Sequence, residues 1–270
     1  MAGIIQNYNK IHNLDELGEQ KSFIHGINPV VKVIVTIAYI ITVVSYGKYE
    51  LSGIMPLVLY PVVLMSAGCI PFRMLLGGLA IAAPLVVGAG IFNPFLDTVA
   101  VMNIYGIEIT SGMLSFVSLI FKCFLTVLAA QLLIATTGMG RIAAALRWLR
   151  IPDIFITQLL LTYRYISVLT GEAGRMYEAY CLRAPERKGI DKSVWGSMLG
   201  QLLLRTYDRA ARLYQAMKLR GYGDRYFGAS LERVKRKDVG YILCCMIFFA
   251  VTRSMDIPML MGSILTGMII

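Results

Sequence analysis

Arg183 and Arg220 lie in near-identical settings, "CLRAP" and "KLRGY", each at the carboxyl end of a long helical pattern. A guanidinium at that end of a helix is favoured by the helix dipole by about 0.3–1 kcal/mol, which accounts for one such residue. It does not account for the repetition, because both patterns end in Leu-Arg-small followed by turn residues. Arginine carries five donors in a fixed fork and a charge that does not titrate, so it suits a partner's carboxylates or helix-end carbonyls. Two similar tips suggest two similar sockets.

Other chemistry finds little to work with. There is no G-x-x-x-x-G-K-[ST] loop, no G-x-S-x-G elbow, no H-E-x-x-H and no clustered acidic motif that would hold a catalytic metal. His12 and His25 read as structural. The five cysteines, Cys69, Cys123, Cys181, Cys244 and Cys245, are odd in number and show no C-x-x-C spacing, so they read as reduced packing residues. The 15 methionines read as membrane packing rather than a thioether metal route. No catalytic, metal-ligating or cofactor-binding residue is expected. Two lysines fall at membrane depth. Lys32 is near the start of its run and can snorkel, while Lys122, in "LIFKCFLT", either faces a partner or polar cavity or lies nearer the interface than its run suggests.

The elements that must carry the arginines follow from hydropathy and charge. At 57% hydrophobic residues and a mean hydropathy of +0.66, the chain falls outside the usual soluble range. Only 16% of residues are charged, yet the net charge is +10, and residues 138–238 hold 19 Lys/Arg against 9 Asp/Glu. The whole excess therefore sits in one block. Apolar runs over Val30–Tyr46, Leu51–Gly68, Met74–Phe92 and Gly112–Ala135 are near the ~20 residues that span a bilayer. The connection "NPFLDTVAVMNIYGIEITS" has two acids and no Lys or Arg, so the positive-inside rule puts it outside, the basic block in the cytoplasm, and the N-terminus inside. The first twenty residues lack the apolar core of a cleaved signal peptide.

Within the basic block, apolar residues recur at three-and-four spacing from Asp153 to Leu182 and again from Trp195 through Leu199, Leu202, Leu203, Tyr207, Leu213 and Tyr214 to Met217. Pro185 stops the first pattern and Gly221 caps the second. A shorter amphipathic piece, "GRIAAALRWLRIP", precedes both, and an apolar run over Val239–Val251 follows. The expectation is an all-α membrane protein with four to five transmembrane helices and a cytoplasmic coupling module of long amphipathic helices. Its divisions are a cytoplasmic segment 1–29, membrane helices 30–137, the module 138–238, and a last membrane helix with a tail, 239–270.

"LGQLLLRTYDRAARLYQAMKLRGYGDRY" resembles the transmembrane T component of energy-coupling factor transporters, in its cobalt-type branch, which is CbiQ-like. The likeness extends to "FIHGINPVVKV", "GIFNPFLD" and "RMYEAYCLRAPERKG", and so covers nearly the whole chain. It implies a non-catalytic scaffold in the plasma membrane whose two cytoplasmic helices each present an arginine motif to one of two ABC-type ATPase subunits. Here those motifs are Leu182, Arg183 and Ala184, and Leu219, Arg220 and Gly221. The first departs from the commoner Ala-Arg-Gly or Ala-Arg-Ser form but keeps the arginine. The resemblance further implies a small membrane substrate-binding subunit that selects a transition-metal ion, cobalt first and nickel as the alternative, and no nucleic-acid partner. The competing reading is a self-contained permease with a regulatory helical module.

Overall fold

The computed structural model describes residues 24–48, 50–93, 100–104, 107–184, 189–222 and 235–254. Pro185, His12 and the terminal segments, with the signals read from them, lie outside these residues. In chain order the elements are α1 (Pro29–Ser45), then α2 (Leu51–Ile54) continuing through a 3-10 turn (Met55–Val58) into α3 (Leu59–Gly68), α4 (Phe72–Gly90), β1 (Ala100–Ile104), β2 (Ile107–Thr110), α5 (Ser111–Thr137), α6 (Met139–Trp148), α7 (Asp153–Arg183), α8 (Lys192–Leu219) and α9 (Arg236–Ser254). The body is helical, as the periodicities predict. An unpredicted antiparallel hairpin, with Asn103 opposite Glu108 and Ile104 opposite Ile107, occupies part of the acidic connection. The chain divides into two compact units, one of α1 to α5 with α9, the other of α6 to α8.

Local chemistry starts the first unit. The Asn28 side chain accepts from the Val30 amide at 3.0 Å, and Pro29 takes the first helical position, where its missing N–H is no loss. Asp238, in the first turn of α9, accepts from the Asn28 amide at 3.0 Å and from the Lys235 amide at 2.7 Å, which joins the two helix starts. Val31, Val35, Tyr39 and Val43, four residues apart on α1, are buried with Ile54, Leu57, Tyr60, Leu125, Leu132 and Phe249. Tyr39 stacks on Tyr60 at 4.5 Å, and Phe249 meets Tyr60 edge-on at 5.5 Å. Between membrane helices it is such packing, not exclusion of water, that holds the elements together. Ile81 and Leu85 on α4 are 75% and 77% exposed, the outward apolar face that lipid tolerates.

At Gly78 of α4 a Cβ would meet only the movable end of the Gln131 side chain, whereas at Gly90 it would fall 2.7 Å from the Phe116 ring of α5, so it is Gly90 that keeps these two helices close. The two intramembrane lysines hold helix ends. Lys32 is buried, not snorkelling, and its Nζ donates to the Thr136 carbonyl at 2.8 Å in the last turn of α5. Lys122 donates to the Tyr46 and Gly47 carbonyls at 2.6 and 3.1 Å, at the carboxyl end of α1. A helix end leaves carbonyls short of intrahelical partners, and each lysine supplies donors to such carbonyls. Lys122 thus lies level with the end of α1, which answers the question its run raised.

Among the described residues, four helices are long and apolar enough to cross a membrane: the continuous Leu51–Gly68 segment, α4, α5 and α7. At 17 residues α1 is about 26 Å long, just short of a ~30 Å hydrocarbon core. Helix α9 carries Arg236, Lys237 and Asp238 in its first turn and Arg253 in its last.

In the second unit α6 packs on α7, with Ile142, Ala143 and Ala145 of α6 and Ile156 of α7 buried. Its end is unusual. Arg150 N bonds to the Arg147 carbonyl and Ile151 N to the Leu146 carbonyl, the paired bonds of a Schellman cap, so Arg150 occupies the left-handed position with φ 62°. Helices α7 and α8 then run antiparallel. Tyr180 meets Asp191, Glu172 meets Arg205, and Thr157 meets Tyr222.

Candidate functional site: the tips of α7 and α8

Each tip is built differently, although the sequences look alike. Arg183 is the last helical residue of α7, and the Ala184 amide still donates to the Tyr180 carbonyl at 3.0 Å. Arg220 lies one step outside α8 as its cap. The Gly221 amide donates to the Lys218 carbonyl at 3.1 Å and the Tyr222 amide to the Met217 carbonyl at 3.0 Å, a complete Schellman turn. That turn needs φ +73° at Gly221, a conformation glycine reaches without the penalty a Cβ brings.

What the tips share is availability. Leu182 is 84% exposed and Leu219 is 89% exposed, each adjacent to its arginine. Neither Arg183 nor Arg220 makes an ion pair or a side-chain hydrogen bond among the described residues, although carboxylates occur on both helices. A bare leucine beside an unpaired guanidinium is an apolar contact and a forked donor presented together. The antiparallel pairing sets the tips apart. Arg220 is at the Thr157 end of the pair and Arg183 at the Asp191 end. The 26 residues between Thr157 and Arg183 span about 39 Å of helix.

Between the tips, Glu172 of α7 accepts from Arg175 on its own helix and from Arg205 of α8. It lies in the charged half of α7, past the apolar stretch. The two guanidiniums, Arg175 first, hold its carboxyl below the usual carboxylate range. Arg175, Arg183 and Arg205 line a cleft of about 330 Å³ with Glu172, Tyr180 and Gln201, so three cations face one acid there. Along α8, Val194, Met198, Leu202, Thr206, Leu213 and Met217 are half-buried. Trp195, Leu199, Leu203, Tyr207 and Tyr214, which the periodicity also predicts to pack, are exposed instead. Two apolar rows run along this helix, and only one meets α7.

The three-residue arginine motifs include neither Glu172 nor Tyr222, although Tyr222 closes the quoted "KLRGY" as a turn residue. A carboxylate placed between two arginine-rich patterns was a signal for the first; nothing in the one-dimensional pattern marks the second. Among the described residues, no group of three or more His, Cys, Asp or Glu is placed to hold a metal ion.

The family described as CbiQ, cobalt transport protein, matches residues 20–227, most of the chain. Uncharacterized protein MJ1571 of Methanocaldococcus jannaschii is 28% identical over 162 residues, 58% of this chain and 55% of that protein. Uncharacterized protein MJ1089 of the same organism is 25% identical over 252 residues, 88% of this chain and 90% of that protein. Nickel permease LarQ of Lactiplantibacillus plantarum is 29% identical over 117 residues, 43% of each chain. The matched regions thus span about half of MJ1571 and LarQ and nearly all of MJ1089.

Proposed function

The chain belongs to the CbiQ family of cobalt transport proteins, and from that membership we propose that it is the transmembrane coupling subunit of an energy-coupling factor importer. It is a multi-pass membrane protein of a metal-ion transport family. In the proposed complex two ABC-type ATPases sit below it, a small membrane subunit binds the ion, and this chain links the two. The observation that carries the proposal is the pair of bare, unpaired Leu-Arg tips at opposite ends of the α7–α8 pair. Each tip would enter a groove on one ATPase, with Leu182 or Leu219 against an apolar wall and Arg183 or Arg220 on carboxylates or helix-end carbonyls. Ala184 and Gly221, small residues after each arginine, leave the approach open.

ATP-driven movement of the two ATPases would then displace both ends of one rigid helical pair. The membrane helices would pass this motion to the substrate-binding subunit and release the ion inward. The proposed orientation puts the N-terminus and the module of residues 138–238 in the cytoplasm. Cobalt is the proposed cargo from the family, and nickel is the alternative, supported by the name of the nickel permease relative.

The test is a pull-down from native membranes in mild detergent, comparing wild type with Arg183→Ala plus Arg220→Ala. We expect two ATPase chains and a small membrane subunit with wild type, and selective loss of the ATPases from the double variant. A double variant that keeps every partner and still drives uptake sinks the proposal.

A second reading has its own observation. Helix α7 is 31 residues long and apolar enough to cross a membrane, as a self-contained permease would use it. Ion uptake by the isolated chain in liposomes, with α7 inaccessible to water-soluble labels, would favour that reading.

A further inference from the structure

Tyr222 follows the α8 tip by two residues, and its amide closes the Schellman turn at Gly221. Its hydroxyl donates to Thr157 Oγ1 at 2.9 Å. The Thr157 hydroxyl has a single proton, which it donates to the Asp153 carbonyl at 2.9 Å, so the direction of the chain of bonds is fixed. The Asp153 carboxylate is 3.2 Å from Nε of Arg147 in the last turn of α6. A continuous polar path therefore joins three helices: the cap of α8, the first turn of α7 and the end of α6.

We infer that Tyr222 and Thr157 are positioning residues that hold the Arg220 tip against the α6–α7 corner, so that force on Arg220 reaches the start of α7 and α6. Without that bond the load would fall on the last turn of α8, where a helix frays most easily. The inference rests on the coupling reading above. It adds two residues outside both arginine motifs, and it makes the α8 tip the one that acts through this corner.

The test uses Tyr222→Phe, Thr157→Val, the two together, and Thr157→Ser, in the full complex reconstituted in proteoliposomes and in the purified chain. Hydrogen exchange of the amides in residues 217–222 is expected to quicken about three- to tenfold in each single variant, the effect of one lost hydrogen bond. The double variant is expected to be no faster than either single, because both changes remove the same contact. Thr157→Ser, which keeps the hydroxyl, is expected to restore the wild-type rate. Ions moved per ATP should fall with each quickening while the ATPases still co-purify. Unchanged exchange in both single variants, additive effects in the double, or faster exchange with undiminished ions per ATP would overturn the inference. A wild type that brings down no ATPase would instead defeat the coupling reading, and the exchange arm tells the two failures apart because it needs no partner.

Discussion

In the membrane unit Val35, Tyr39, Val43, Ile54 and Leu57 have no exposed area, while along the whole of α8 no residue is buried. The cations differ in the same sense. Lys32 and Lys122 are committed to carbonyls at the ends of α5 and α1. Arg183 and Arg220 have no such commitment among the described residues. One region uses its packing and its charges to stay assembled; along α8 of the other, both stay on the surface, and the α7–α8 pair holds its shape through helix hydrogen bonds and a few cross-ties. The same residue classes thus serve internal order in the first unit and, under the proposed coupling role, would serve contact with partner subunits in the second. A substitution of similar chemistry should accordingly change stability in one and function in the other.

The largest expected break is Gly90→Leu, which drives a side chain into the Phe116 ring and Leu119 of α5 and should cost about 3 kcal/mol, seen as a lower Tm in detergent. Next, Lys122→Met strips two carbonyls at the end of α1 of their donor and should cost about 1–2 kcal/mol by the same measurement. In the second unit the sign can reverse. Arg150→Gly relieves the left-handed strain at the end of α6 and should stabilise that unit by about 1 kcal/mol, read as slower exchange around residues 146–151. The smallest effect sharpens the contrast: Glu172→Gln, which removes an exposed ion pair, should leave Tm unchanged.

The pH dependence of that tie has a definite sign. Because the folded carboxyl of Glu172 lies below its ordinary value near 4.3, its contribution is complete above that pH. It disappears only as pH falls through the lower folded value, and raising the pH has no effect on it. Exchange of amides flanking Glu172 and Arg205, followed from pH 6 down to about 3, checks both limits.

The helices themselves were legible because their causes are local. Asn28-Pro29 starts α1, Gly221 ends α8, and the spacing over Asp153 to Leu182 matches α7 within a residue at its end. The tip residues are equally local, since they are defined by where those helices stop. The paired strands 100–104 and 107–110 do not follow from the charge of their connection, although "VAVMNIYGIEIT" alternates β-branched residues around a glycine. Which apolar row of α8 meets α7 is a matter of rotation about the helix axis, and two rows at adjacent phases leave it undetermined until the partner helix is placed. Tyr222 and Thr157 are 65 residues apart, and Lys122 and Tyr46 are 76 apart; pairings of that span are set by tertiary geometry.

The antiparallel run of α7 and α8 also has a symmetry. Turning the pair by half a revolution about an axis through its middle exchanges the two helices and carries Arg183 to the place of Arg220. The Glu172–Arg205 bridge is close to that axis, about 16 Å of helix from one tip and about 22 Å from the other. A single asymmetric polypeptide therefore offers an approximately two-fold pattern of contacts; under the proposed coupling role, the two ATPases that receive the arms would be related to each other by a matching two-fold axis.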